Sequence, residues 1–199
     1  MRIRIAGGRV IDPAHGLDGE LDLCIADGRI AAVGHTPDGF HVEREIDARG
    51  LVVCPGLVDL GARLREPGLE QKADIHSETR AAAAGGITTL CQPPDSDPVC
   101  DTPAVAELIQ KRAAQPGLAR VLPIGAMTRN LEGELLSEMA DLKAAGYLAV
   151  SNAGRPTTNS QVLRRTLEYA STYGLVVFLA TMAVVFTALS RSCSIWLNA

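Results

Sequence analysis

The chain has 199 residues, enough for one domain of ordinary size or two small ones. Apolar residues make up 47% and charged residues 21%, which excludes a disordered chain. Nineteen basic against 23 acidic side chains give a net charge of -4, with the basic residues scattered, so a nucleic-acid polyanion is not expected as main partner. Five cysteines, an odd number without regular spacing, together with the lack of a leading signal peptide, point to reduced thiols and a cytoplasmic location.

Residues 1–50 read as short strands broken by glycine turns. Met1 to Ala6 alternates, Gly7-Gly8 is expected to turn the chain, and Arg9-Val10-Ile11 continues to Asp12-Pro13. Leu21 to Ala26, Asp27-Gly28 and Arg29 to Val33 form the clearest hairpin, because Asp-Gly supplies the positive φ angles of a two-residue primed turn. This first unit is expected to be the N-terminal portion of a β-sandwich.

From Leu51 short apolar runs alternate with helical patterns. The runs are Leu51 to Leu60, Ile87 to Cys91, Val121 to Ala126, Tyr147 to Val150 and Leu175 to Leu179. Asp101-Thr102-Pro103 reads as a helix start, with a cap and a proline in the first turn. Gly85-Gly86, Gly117, Gly146 and Gly174 are expected to close helices. Such alternation implies right-handed parallel βαβ units, five of them over residues 51–180. A closed eight-stranded barrel takes about 250 residues. Only 149 follow residue 50, so an α/β fold with a partial, truncated (β/α) barrel is expected.

The end of the chain departs from this rhythm. Tyr169 to Ser190 holds 22 residues without a charge, long enough to span a bilayer. A buried fifth strand followed by a foreign or out-of-frame tail over residues 181–199 is the preferred reading, and a membrane span the alternative.

The segment Val53-Cys54-Pro55-Gly56-Leu57-Val58-Asp59-Leu60-Gly61-Ala62-Arg63-Leu64-Arg65-Glu66-Pro67-Gly68 resembles the dihydroorotases of the amidohydrolase superfamily. There the strand reads PGLVD, then a His-x-His pair, then LREPG. The resemblance continues through Arg80-Ala81-Ala82-Ala83-Ala84-Gly85-Gly86-Ile87-Thr88-Thr89, Cys91-Gln92-Pro93-Pro94 and Leu167-Glu168-Tyr169-Ala170, and stops near Ala180. It takes in most of this chain but only the front half of a usual member.

The family hydrolyses a cyclic amide with zinc, which activates water and polarises the carbonyl. Two histidines two apart on a strand share a face and can reach one ion. Here Gly61 and Arg63 stand at those positions. Glycine has no ligand atom, and arginine offers only donors, so it repels a cation. Two readings stand for Arg63: its guanidinium replaces the metal charge, or it snorkels to the barrel mouth. The family's Asp-Asp-Gly after the fourth strand corresponds to Asn152-Ala153-Gly154, and the histidine after the fifth falls at Leu179 or Ala180. The four histidines, His15, His35, His41 and His76, lie away from expected strand ends. Cys91 stands at such an end with Cys100 nine residues on, a possible thiol pair for a metal, set against two ordinary buried thiols.

Arg65 matches the arginine that grips the substrate carboxylate in the family, and a planar fork suits that task. The competing reading is a salt bridge to Glu66 or Asp95. Pro94 stands where the family carries a substrate-binding asparagine. The resemblance therefore implies a non-catalytic homologue without a metal cofactor. It looks like the branch that acts as a structural partner of bacterial aspartate carbamoyltransferase. An active zinc-dependent cyclic-amide hydrolase and a non-functional fragment are the alternatives. Exposed sheet edges in the fragment reading would favour self-association.

Overall fold

The computed structural model describes residues 1–114 and 119–179, and the chain divides into two compact units, Met1–Gly56 and Leu57–Ala199. Gly117, Ala180 and residues 181–199, on which a helix end, a ligand position and an out-of-frame tail were expected, lie outside the described residues. No described helix is long and apolar enough to cross a membrane.

The first unit is one five-stranded sheet built on β1 (Arg2–Asp12). β2 (Leu17–Ala26) and β3 (Arg29–Gly34) follow as antiparallel neighbours, while β4 (Arg44–Asp47) and β5 (Val52–Val53) pair with β1 in parallel. The β2–β3 hairpin closes at Ala26↔Arg29 on Asp27 (φ 52°) and Gly28 (φ 73°), the primed turn expected from Asp-Gly. Gly7-Gly8 does not turn the chain. β1 runs through it, with a shift in pairing between Ile5 and Gly8 that absorbs the extra residue as a bulge. Gly7 takes φ 70° and donates its N–H to Asp22 Oδ1 at 3.0 Å, so the pair is held by the partner strand.

The run Leu51 to Leu60 is not one strand. Val52–Val53 completes the first sheet, Pro55-Gly56 interrupts pairing, and β6 (Leu57–Asp59) opens the second unit, so the division falls after Gly56 rather than after residue 50. β6 is followed by α1 (Ile75–Ala84), β7 (Ile87–Gln92), α2 (Pro103–Ala113), then β8 (Arg120–Pro123) and β9 (Gly125–Ala126). α3 (Met139–Ala144), β10 (Ala149–Ser151), α4 (Ser160–Thr172) and β11 (Val176–Phe178) complete the described chain. The described strands of this unit pair in parallel, in the orders β6-β7-β8 and β9-β10-β11. β8 and β9 are two halves of one stretch separated by Ile124, whose N–H donates to Gln92 O at 2.9 Å. Each of the five sequence runs thus supplies a parallel strand, the wall of a (β/α) barrel.

Alternation along these strands sorts the core into two faces. Leu90, Val121 and Val150 pack with Ile109 of α2, Leu142 of α3 and Ala170 of α4. Their neighbours Cys91, Leu122, Ala149 and Phe178 form a separate cluster with Ile124 and no helix residue. Helices therefore cover one face, and the other is the barrel interior.

Helix starts follow local chemistry. At α1, Asp74 accepts the N–H of Ser77 and Ser77 returns a bond, a reciprocal cap. At α4, Asn159 accepts from Gln161 and Val162. At α2, Thr102 occupies the cap position without a side-chain bond, and Pro103 sets the first turn. Asp101 instead accepts the N–H of Asn130, so its carboxylate ties two loops together.

Candidate functional site

The C-terminal ends of parallel barrel strands are where this architecture carries its chemistry. Two adjoining cavities lie there. The larger, about 300 Å³, is bounded by loops after all five strands: Leu60, Gly61 and Arg63 after β6, Pro93 after β7, Ile124 of the β8–β9 stretch, Ala153 after β10 and Leu179 after β11. The smaller, about 100 Å³, is lined by Arg63, Arg65, Gln92, Asp95 and Ser96 among others. Arg63 and Pro93 border both.

Four of the six positions that the resemblance matches to metal ligands come together. Gly61, Arg63, Ala153 and Leu179 all line the larger cavity. Gly61 and Arg63 stand beyond the strand rather than on it, since β6 ends at Asp59 and Gly61 N–H donates to Asp59 Oδ1 at 2.9 Å. Their convergence comes from the loop, not from strand alternation. A Cβ built on Gly61 would meet no atom within 4 Å, so the missing side chain leaves open space. Asn152 is 4% exposed and accepts from Thr128 Oγ1 while donating Nδ2–H to Arg155 O. Both ends of its amide are thus occupied in holding the loop after β10. Ala153 turns that loop in a left-handed conformation (φ 50°).

Arg63 neither stands free at a metal position nor simply snorkels. Its Nε donates to Asp95 Oδ2 at 2.7 Å, with Arg63 half exposed and Asp95 more enclosed. That pairing corrects the expectation for Arg65. Asp95 is taken by Arg63, and Glu66 pairs with Arg112 at 3.3 Å and accepts the N–H of Ile75 at the start of α1. Arg65 O accepts the N–H of Leu69 at 2.8 Å, while its side chain makes no hydrogen bond or ion pair among the described residues. It takes φ 68°, an uncommon conformation for a non-glycine residue. Pro94 is buried behind the smaller cavity and does not line it.

Other candidate ligands fall elsewhere. His15 bonds Asp12 at 2.6 Å in the β1–β2 turn, His35 and His41 lie in the first unit, and His76 is on the first turn of α1. Cys91 and Cys100 are both buried but pack in different clusters. The Cys100 thiol contacts the Tyr147 hydroxyl at 2.8 Å, and burial pushes it up to about 11. They behave as core thiols, not as a metal pair. Among the described residues no group of three or more His, Cys, Asp or Glu side chains could hold a metal ion. Zinc needs lone pairs from at least three such groups, so the donor set among the described residues does not fit it.

Two features were not legible in the sequence. The Arg63–Asp95 pair joins loops 32 residues apart. Gln92 is buried with Nε2–H donating to Glu66 O at 2.7 Å while its Oε1 has no partner among the described residues.

Comparison with known proteins agrees with this architecture. The dihydro-orotase-like family model matches residues 50–180. A "dihydroorotase-like protein" of Pseudomonas putida is 53% identical over 177 residues, which is 89% of this chain and 42% of the relative. A "dihydroorotase" of Syntrophotalea carbinolica is 48% identical over 177 residues, 89% of this chain and 41% of its own length. The chain thus spans about two-fifths of the curated relatives it matches. Among solved structures, an L-hydantoinase (dihydropyrimidinase) from Arthrobacter aurescens superposes with a TM-score of 0.77 at 22% identity, over 95% of this chain and 43% of that one. A D-hydantoinase superposes with a TM-score of 0.71 at 24% identity, over 96% and 42%. These structures share the fold of this chain, and by the extent and identity of its sequence match the chain belongs to the dihydro-orotase-like family.

Proposed function

We propose that the chain is a non-catalytic member of its family that serves as a structural partner of aspartate carbamoyltransferase. The observation that carries the non-catalytic half is the donor set at the strand ends. Gly61, Arg63, Ala153 and Leu179 border the cavity where ligands belong, and Asn152 is committed to Thr128 and Arg155. Features that specify the fold persist beside these losses: the Asp74 and Asn159 caps, the parallel pairings and the packed helix-facing core. A scaffold needs that shape without the ion. The partner is inferred from the resemblance, and the name "dihydroorotase-like protein" carried by Pseudomonas relatives supports the same branch.

Arg65 fits a residual role in this reading. Its guanidinium is unengaged at the rim of a small cavity, suited to hold a small carboxylate without turning it over.

The competing reading is a zinc-dependent cyclic-amide hydrolase, favoured by relatives at 47–48% identity named dihydroorotase. Zinc content and dihydroorotate ring-opening separate the two. Protein purified from zinc-supplemented cells is expected to carry well under one equivalent and to show no turnover. One equivalent of zinc with turnover would end the non-catalytic reading. The partner role is tested separately, by co-expression with aspartate carbamoyltransferase. Stable co-elution and a loss of assembled carbamoyltransferase without this chain are expected. Equal assembly in its absence would refute that half.

A further inference from the structure

Removing ligands from a metal site does more than abolish metal binding. It leaves a cavity whose new lining has its own selectivity. The 300 Å³ cavity is at the lower end of the volumes that enclose small molecules, about 300–1,000 Å³. Its walls include Leu60, Pro93, Ile124, Phe178 and Leu179. Among the described lining residues Arg63 is the one charged side chain. Its Nε is held by Asp95, and its two Nη groups make no other hydrogen bond among the described residues. Asp95 borders the smaller cavity and not this one, so of the ion pair only the cation reaches the larger space. The absent side chain at Gly61 adds room, since nothing lies within 4 Å of its missing Cβ.

We propose that this cavity binds a small aromatic carboxylate, with the ring among Leu60, Ile124 and Phe178 and the carboxylate on the Nη groups of Arg63. Charge selects the anion: a guanidinium offers donors only, and a cationic ligand would be repelled. Apolar walls select the ring, because a ring buries area that a short aliphatic acid lacks, and Phe178 offers an edge or face to meet it. Asp95 fixes the guanidinium through Nε, so less rotamer freedom is lost on binding. The proposal rests on the lining of this cavity and is independent of the carbamoyltransferase partnership.

Benzoate titration into the 199-residue protein, followed by calorimetry or ligand-observed NMR, tests it. Saturable binding is expected, with acetate and benzylamine each weaker by about tenfold or more, a difference of about 1.4 kcal/mol. Gly61→Leu, which places a side chain in open space, is expected to weaken benzoate by at least about tenfold, and Arg63→Gln by a similar factor. Circular dichroism of both variants reports whether they fold, and each tests a different wall of the site. No benzoate binding to the parent protein overturns the proposal. So does benzylamine binding as tightly as benzoate, or unchanged affinity in Arg63→Gln. A loss in Arg65→Gln with none in Gly61→Leu would move the ligand to the smaller cavity and overturn it too.

Discussion

Buried titratable pairs show at the residue scale how this core reacts to its solvent. Cys100 is fully enclosed, shares a contact with the Tyr147 hydroxyl at 2.8 Å, and Tyr147 in turn donates to Thr102 O at 3.3 Å. Burial is the largest influence on both groups and favours their neutral forms, raising the thiol from 9.0 to about 11 and pushing the phenol up as well. Above pH 9 the unfolded chain releases the Cys100 proton while the native chain keeps it. The unfolded state then binds fewer protons, so stability must fall as pH rises through this window. The Cys100 share is on the order of 1 kcal/mol between pH 8 and pH 10. Urea unfolding at these two values should show the loss, and Cys100→Ala should flatten it despite a lower starting stability. A parent curve without slope would show that the thiol is not buried as described.

At the scale of elements, the packing of α3 on the β8–β9 stretch depends on one glycine. A Cβ on Gly125 would stand 2.8 Å from Leu142 Cδ1 and 3.3 Å from Tyr147 Cδ1, and both of those side chains are fully buried. Neither can yield into solvent, so Gly125→Ala is expected to destabilise by about 1–3 kcal/mol. Gly61→Ala, which meets nothing, serves as the matched control and should leave the denaturation midpoint nearly unchanged. Equal effects would show that backbone freedom, not contact, is the cause. The same elements show what a sequence can convey. Asp27-Gly28 specified its hairpin because the turn needs φ angles that few residues allow, and the apolar runs of β7, β8–β9 and β10 specified strands because each has buried residues on both faces. Gly7-Gly8 misled because glycine marks bulges and turns alike, and only pairing with Leu21 and Leu23 distinguishes them. At the site, Gly61 and Arg63 were singled out because they stand where the resemblance expects a His-x-His pair. The Arg63–Asp95 bond could not be read, because Glu66 and Asp95 were equally available to either arginine until the loops closed. The apolar cavity wall was also hidden. Ile124 and Phe178 read simply as parts of apolar runs, and Leu179 as one of two places for the family's histidine.

At the scale of the molecule, the outer strands β6 and β11 of the two parallel sheets in the second unit each have one strand neighbour among the described residues. β6 pairs only with β7, and β11 only with β10, among the described residues. Apolar side chains cluster there: Leu57, Val58 and Leu60 on or beside β6 and Val176 on β11 are each more than half exposed. Parallel strands leave complementary rows of N–H and C=O groups on their two sides. The β11 edge of one copy can therefore receive the β6 edge of another in the same sense as the pairings already present. Such a contact is head-to-tail, so it closes into a ring or propagates, and hydrophobic burial drives either outcome. The 199-residue protein is expected to show concentration-dependent association by sedimentation velocity through the micromolar range. A lysine on each edge, Val58→Lys with Val176→Lys, should shift it toward monomer, because a buried unpaired ammonium opposes edge pairing. A parent protein that sediments as a monomer throughout that range would mean these edges are protected. The double variant would then have no association to remove.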